Sequence, residues 1–124
     1  MEYDFLIERS EKPVYKGNLK EFNASFNDRN QVCGDQVEIF LKIEDGIIKD
    51  AKFDGKGCLI SMASSDLLLE QVIGKSIDEV LKLDDEFIRK LVKVPLGVNR
   101  IKCATLPLKV LKRAVIDYVS KNKN

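Results

Sequence analysis

The clearest order in this chain is an alternation. In Val37-Glu38-Ile39-Phe40-Leu41-Lys42-Ile43 every odd position is apolar. Side chains two apart share one face of a strand, so 37–43 reads as a strand with one buried side. Asp45-Gly46 follows, a pair that accepts positive φ and closes tight hairpins. A returning strand over 47–54 puts Ile47, Ala51 and Phe53 on one face, with Lys49 interrupting it. Earlier, Phe, Asn, Ala, Ser and Phe alternate over 22–26, which predicts a short strand with one buried face. Residues 2–10 predict a short helix with Phe5 and Leu6 as its apolar part. Lys12-Pro13 and Lys16-Gly17-Asn18 read as loops.

After Gly57-Cys58 the period changes. Residues 59–73 are apolar around most of a helical circumference, with Asp66 and Glu70 on one polar strip. Such a helix is central to a fold or covered by a partner. Gly74 suits its end. Ser76-Ile77-Asp78-Glu79 has the form of a capping box and opens a short helix to about 83. Asp84-Asp85 starts another through 92. Pro95 and Gly97 interrupt before 99–105, and Pro107 fits the first turn of a last helix. There Val110, Leu111, Ala114, Val115 and Tyr118 form the apolar stripe, with Lys109, Lys112, Arg113 and Lys121 on the solvated side. Strands first and helices afterwards predict an α+β fold: a small three-stranded antiparallel sheet with helices packed on one face. With no internal repeat and no linker-like tract, residues 1–124 read as a single domain.

Charge narrows the function. With 21 basic and 20 acidic side chains the net charge is +1, without the basic excess that phosphate contacts demand, so nucleic acid is disfavoured. No apolar run is long enough to span a bilayer. The start, M-E-Y-D-F-L-I-E-R, carries acids where a targeting peptide needs basic residues. Unpaired cysteines fit a reducing cytoplasm.

Three cysteines and no histidine set the chemistry. Imidazole-based nucleophile arrangements and His-bearing metal sites are excluded. An odd cysteine count with no C-x-x-C pair argues against a disulfide framework. Two readings of the residues remain: a dispersed thiolate site, or three unrelated buried cysteines acting as small hydrophobes. Cys33 and Asp35 are two apart at a strand entry and so share a face. Cys58 opens the long helix, whose exposed N–H groups and dipole favour a thiolate. Each cysteine falls at a boundary between predicted elements, and Cys103 has Lys102 beside it and Arg100 nearby.

C-G-D at 33–35, G-C-L-I-S-M-A-S-S at 57–65, G-K-S-I-D-E-V at 74–80 and R-I-K-C-A-T-L at 100–106 occur in that order. Together they resemble the IscU/SufU family of iron–sulfur cluster assembly proteins, also found as the amino-terminal part of NifU. The resemblance covers roughly residues 13 to 118. It implies a site of three cysteines and an aspartate, here Cys33, Asp35, Cys58 and Cys103, on which a transient 2Fe–2S cluster is built or a zinc ion resides. It also implies a cysteine desulfurase as sulfur donor and cluster carriers or apo-proteins as acceptors. Lys102 stands where IscU-type members have histidine and resembles the SufU branch, as a possible modulator of the site. The insertion usual in SufU proteins has no room between Gly74 and Lys102, so the chain resembles an insertion-free SufU-like member. The region matching IscU's L-P-P-V-K chaperone segment reads V-P-L-G-V, which argues against an Hsp70-type chaperone step.

The resemblance therefore implies a scaffold that takes sulfur from a desulfurase, holds a labile cluster and passes it on. It carries an alternative, a zinc-dependent sulfurtransferase that accepts persulfide sulfur on Cys33, Cys58 or Cys103. Scaffold is preferred over enzyme.

Overall fold

The computed structural model describes residues 3–31 and 34–122. Helix α1 (Asp4–Glu11) leads into strands β1 (Ala24–Arg29), β2 (Gln36–Glu44) and β3 (Ile47–Lys56). Four helices follow: α2 (Leu59–Val72), α3 (Ile77–Leu81), α4 (Asp85–Val92) and α5 (Val98–Lys121). The strands form one antiparallel sheet in the order β1-β2-β3. This is the predicted α+β architecture.

The alternation in β2 decides which face is buried. Val37, Ile39, Leu41 and Ile43 are at most 2% exposed and point inward. Asp45 and Gly46 take φ of 54° and 73°, the left-handed pair that a two-residue hairpin requires. In β3 the expected face is only partly right. Lys42 pairs with Asp50, but Ile43 pairs with Ile48, so Lys49 is an extra residue on β3. A bulge of this kind shifts the side-chain alternation by one. Ile48, not Ile47, therefore enters the core beside Ala51 and Phe53.

At the other edge β1 starts later than expected. Phe22 lies before the strand, is 48% exposed, and packs edge-on against Phe40, with ring centroids 5.0 Å apart. Ala24 supplies the buried position instead.

Helices α2 and α5 cover the inner face of the sheet, with α5 across β1 and β2. Helices α1 and α4 also pack on α2, and with α5 and the sheet they cover it closely enough for α2 to be apolar on nearly all sides. Ser76 caps α3 by accepting the Glu79 N–H, and Asp84 caps α4 by accepting the Phe87 N–H. The first of these helices stops at Leu81, short of the expected 83.

Two segments depart from expectation in ways that matter for the site. Pro107 does not open the last helix but lies inside a 24-residue α5. Proline has no N–H for the carbonyl four residues back, which is that of Cys103. The helix continues through it because Cys103, Ala104, Leu106, Leu108 and Val110 are all buried. The Ser64 hydroxyl also reaches across from α2 to the Ala104 carbonyl, at 2.6 Å.

The second departure is Asp66. The polar strip it shares with Glu70 is split by burial: the Asp66 side chain is fully buried, whereas that of Glu70 is 44% exposed. Arg9 Nε meets Asp66 Oδ2 at 2.7 Å, and the Tyr15 N–H donates to Oδ1 at 2.7 Å. Arg9 also reaches Glu70 at 3.1 Å. Burial works against the Arg9 charge, but the hydrogen bond and charge of Asp66, joined by Glu70, outweigh it and raise the guanidinium pKa. The same segment adds backbone to the edge of β3, through Phe53 N–H to the Tyr15 carbonyl and Gly17 N–H to the Phe53 carbonyl.

Candidate metal centre

The site forms where the entry to β2, the start of α2 and the second turn of α5 meet. Asp35 precedes β2. Its carbonyl accepts the Asn30 N–H, and the Gly34 N–H donates to the Asn30 carbonyl, both at 2.7 Å. These bonds close the β1–β2 connection and fix Asp35 in a position where it is 2% exposed.

Cys58 is the N-cap residue of α2, in extended conformation (φ −71°, ψ 168°). Its own N–H donates to Asp35 Oδ1 at 2.9 Å. One carboxylate oxygen is thus held by backbone. The other, Oδ2, lies 3.5 Å from the Cys58 sulfur. Both carboxylate oxygens thus face Cys58, one its N–H and the other its sulfur.

Cys103 approaches from α5 and is buried, its sulfur 3.7 Å from the Asn99 carbonyl. It was expected at an element boundary and lies within the helix instead, because α5 begins at Val98. The ligating atoms of Asp35, Cys58 and Cys103 all lie within 4.8 Å of one another. A tetrahedral zinc with sulfurs at about 2.3 Å spaces its ligands by roughly 3.8 Å. The three groups therefore need shifts of only about 1 Å to share one ion. Thiolate and carboxylate donors are chemically ordinary for zinc and for iron. Cys33 lies outside the described residues.

Lys102 is exposed and is not part of this cluster. It lines an adjoining cleft of about 420 Å³ with Arg29, Asn30, Gln31 and Lys109. Two residues of the 57–65 motif that were given no role at the site also border it. Ser61, fully buried on the first turn of α2, has its hydroxyl 4.0 Å from the Cys58 sulfur. The rule that positions three apart meet on a helix could have found it. Gly57 is the other. A Cβ there would fall 2.6 Å from Asp35 Oδ1 and 2.6 Å from Ser61 Oγ. The Gly57→Ala variant is expected to push the carboxylate off the Cys58 N–H. The loss is about 1–2 kcal/mol in urea unfolding and roughly tenfold in zinc affinity. Unchanged values in both titrations would mean that the carboxylate is not confined as described.

Fold and site together define an α+β domain that brings thiols and a carboxylate from distant segments within reach of one ion. The chain belongs to the family described as the NifU-like N-terminal domain, which matches residues 1–124. It is 34% identical to the iron–sulfur cluster assembly scaffold protein IscU of Thermotoga maritima, over 89% of each chain. It is 32% identical to the zinc-dependent sulfurtransferase SufU of Bacillus subtilis, over 89% of this chain and 86% of that one. Among solved structures, the SUF-system protein FiSufU of Fervidobacterium islandicum AW-1 superposes with a TM-score of 0.80 at 27% identity, covering 90% of this chain and 94% of that one. Among the described residues, no helix is long and apolar enough to cross a membrane.

Proposed function

We propose that this chain is an iron–sulfur cluster assembly scaffold. It receives sulfur from a cysteine desulfurase, carries a labile 2Fe–2S cluster as cargo on Cys33, Asp35, Cys58 and Cys103, and passes it to carrier or apo-protein acceptors. The observation that carries this reading is the convergence of Asp35, Cys58 and Cys103, 23 and 45 residues apart in sequence, on a volume less than 5 Å across. A reducing compartment belongs to the proposal, because the site needs free thiols; Cys58 and Cys103 are both unbridged.

Lability follows from the donor set. Four thiolates hold a cluster firmly, whereas one oxygen donor among three sulfurs leaves a weaker corner. Asp35 is that corner, with one oxygen already bound to the Cys58 N–H. The Asp35→Ala variant is expected to release a reconstituted cluster several-fold more slowly to an apo-ferredoxin. It should also lose about 1 kcal/mol of stability with the missing cap-like bond. Equal transfer rates for the two proteins would remove this role.

A second reading, a zinc-dependent sulfurtransferase that activates the desulfurase, is favoured by the same donor set and by the likeness to the Bacillus protein. Bound zinc would supply charge that keeps the thiols deprotonated. Cys33, Cys58 or Cys103 would then be the persulfide acceptor. Metal analysis and visible absorption of the purified protein, before and after anaerobic supply of iron and sulfide, separate the two. The scaffold takes up a coloured cluster. The sulfurtransferase retains stoichiometric zinc and accelerates a desulfurase.

A further inference from the structure

Among the described residues of the site, two sulfurs carry an S–H that can donate: Cys58 towards Asp35 Oδ2 and Cys103 towards the Asn99 carbonyl. An ion bound to these sulfurs takes the place of both protons, and thiolates and carboxylate alike then only accept hydrogen bonds. A buried hydroxyl stands beside this set of acceptors. Ser61 is 0% exposed, and its Oγ lies 4.0 Å from Cys58 Sγ. In the ion-free arrangement it donates instead to the Cys58 carbonyl, at 3.2 Å. That carbonyl has another donor, the Met62 N–H at 3.2 Å, in the regular helical pattern. The hydroxyl can therefore rotate away without leaving a buried acceptor unsatisfied.

We propose that Ser61 is a positioning and tuning residue of the metal centre, a hydroxyl that turns from the Cys58 carbonyl onto the Cys58 sulfur when that sulfur binds a metal. The inference rests on the metal-site reading above. Hydrogen bonds to a ligating sulfur withdraw electron density from it and fix its direction, and outer-shell partners of this kind commonly carry 10–100-fold in metal affinity. The backbone around Cys58 keeps the hydroxyl in place. Gly57 leaves open the space that both Ser61 Oγ and Asp35 Oδ1 border, and the first turn of α2 puts residue 61 one turn above the sulfur.

Cobalt(II) binding to the full chain tests this, because the sulfur-to-cobalt charge-transfer absorption reports directly on sulfur electron density. The expected result for Ser61→Ala is about tenfold weaker cobalt binding and a charge-transfer band at longer wavelength. The apo-protein melting temperature should fall only slightly. Ser65→Ala, which removes another buried hydroxyl from α2, one bonded to the Ser61 carbonyl, should leave the band in place. If Ser61→Ala does not fold, the isosteric pair Ser61→Thr and Ser61→Val repeats the comparison, with only the threonine variant keeping the wild-type band. An unchanged affinity and band in Ser61→Ala, or identical bands for the Thr and Val variants, would overturn the assignment and leave a purely structural hydroxyl. A wild-type protein with no sulfur-to-cobalt absorption would overturn it together with the metal-site reading.

Discussion

Cys58→Ala is expected to abolish stoichiometric zinc retention and to leave the protein colourless after anaerobic reconstitution with iron and sulfide, while the apo-protein stays folded. Structural zinc sites of four ligands bind with about 10–16 kcal/mol, so one thiolate contributes on the order of 3 kcal/mol, roughly a hundredfold in affinity. The fold should survive because Cys58 organises the site through its backbone as well as its sulfur. Its N–H to Asp35 Oδ1 and its carbonyl to the Met62 N–H are both independent of the side chain. Zinc competition against a chelator and a thermal melt of the same sample separate the two effects. Wild-type affinity in Cys58→Ala would remove Cys58 from the ligand set.

Arg9→Ala is expected to produce the largest loss of stability outside the core. It leaves the buried Asp66 carboxylate with the Tyr15 N–H donating to Oδ1 and no countercharge from α1. Removing one member of a buried ion pair costs about 3–5 kcal/mol, because the other charge stays in a poorly solvated place. For a chain of 124 residues that is a fall in melting temperature on the order of 10 °C or more. Arg9→Lys should recover only part of it, since an ammonium cannot span Asp66 and Glu70 as a guanidinium fork does. A loss below about 1 kcal/mol in urea unfolding would show that water replaces the guanidinium readily.

The elements that could be read from the chain are those set by local chemistry. The odd positions of β2, the Asp45-Gly46 turn, the all-round apolar α2 and the Ser76 and Asp84 caps each follow from neighbouring residues. Non-local pairing decided the remainder. Lys49 was visible as an interruption, but only the register against Ile43 shows that it is a bulge that turns Ile48 inward. Asp66 and Glu70 share a helical strip, and only the docking of α1, with Arg9, distinguishes the buried carboxylate from the exposed one. Pro107 carries a local signal for a helix start, which the burial of residues on both sides of it overrides.

For the site, the residue types and their surroundings left two readings open, since spacings of 23 and 45 residues say nothing about distance in space. The order of four motifs supplied the resemblance that put Asp35, Cys58 and Cys103 together, and the structure places them within 4.8 Å. Ser61 and Gly57 lay within the 57–65 motif but carried no assigned role, because a serine in a helix and a glycine before one have many ordinary uses.

X-ray absorption at the zinc edge of the zinc-loaded protein tests the central claim most directly. Convergence of three sulfurs and one carboxylate on a single ion predicts one zinc per chain, with three sulfurs at about 2.3 Å and one oxygen at about 2.0 Å. A first shell of nitrogen and oxygen alone, or with a single sulfur, would contradict it.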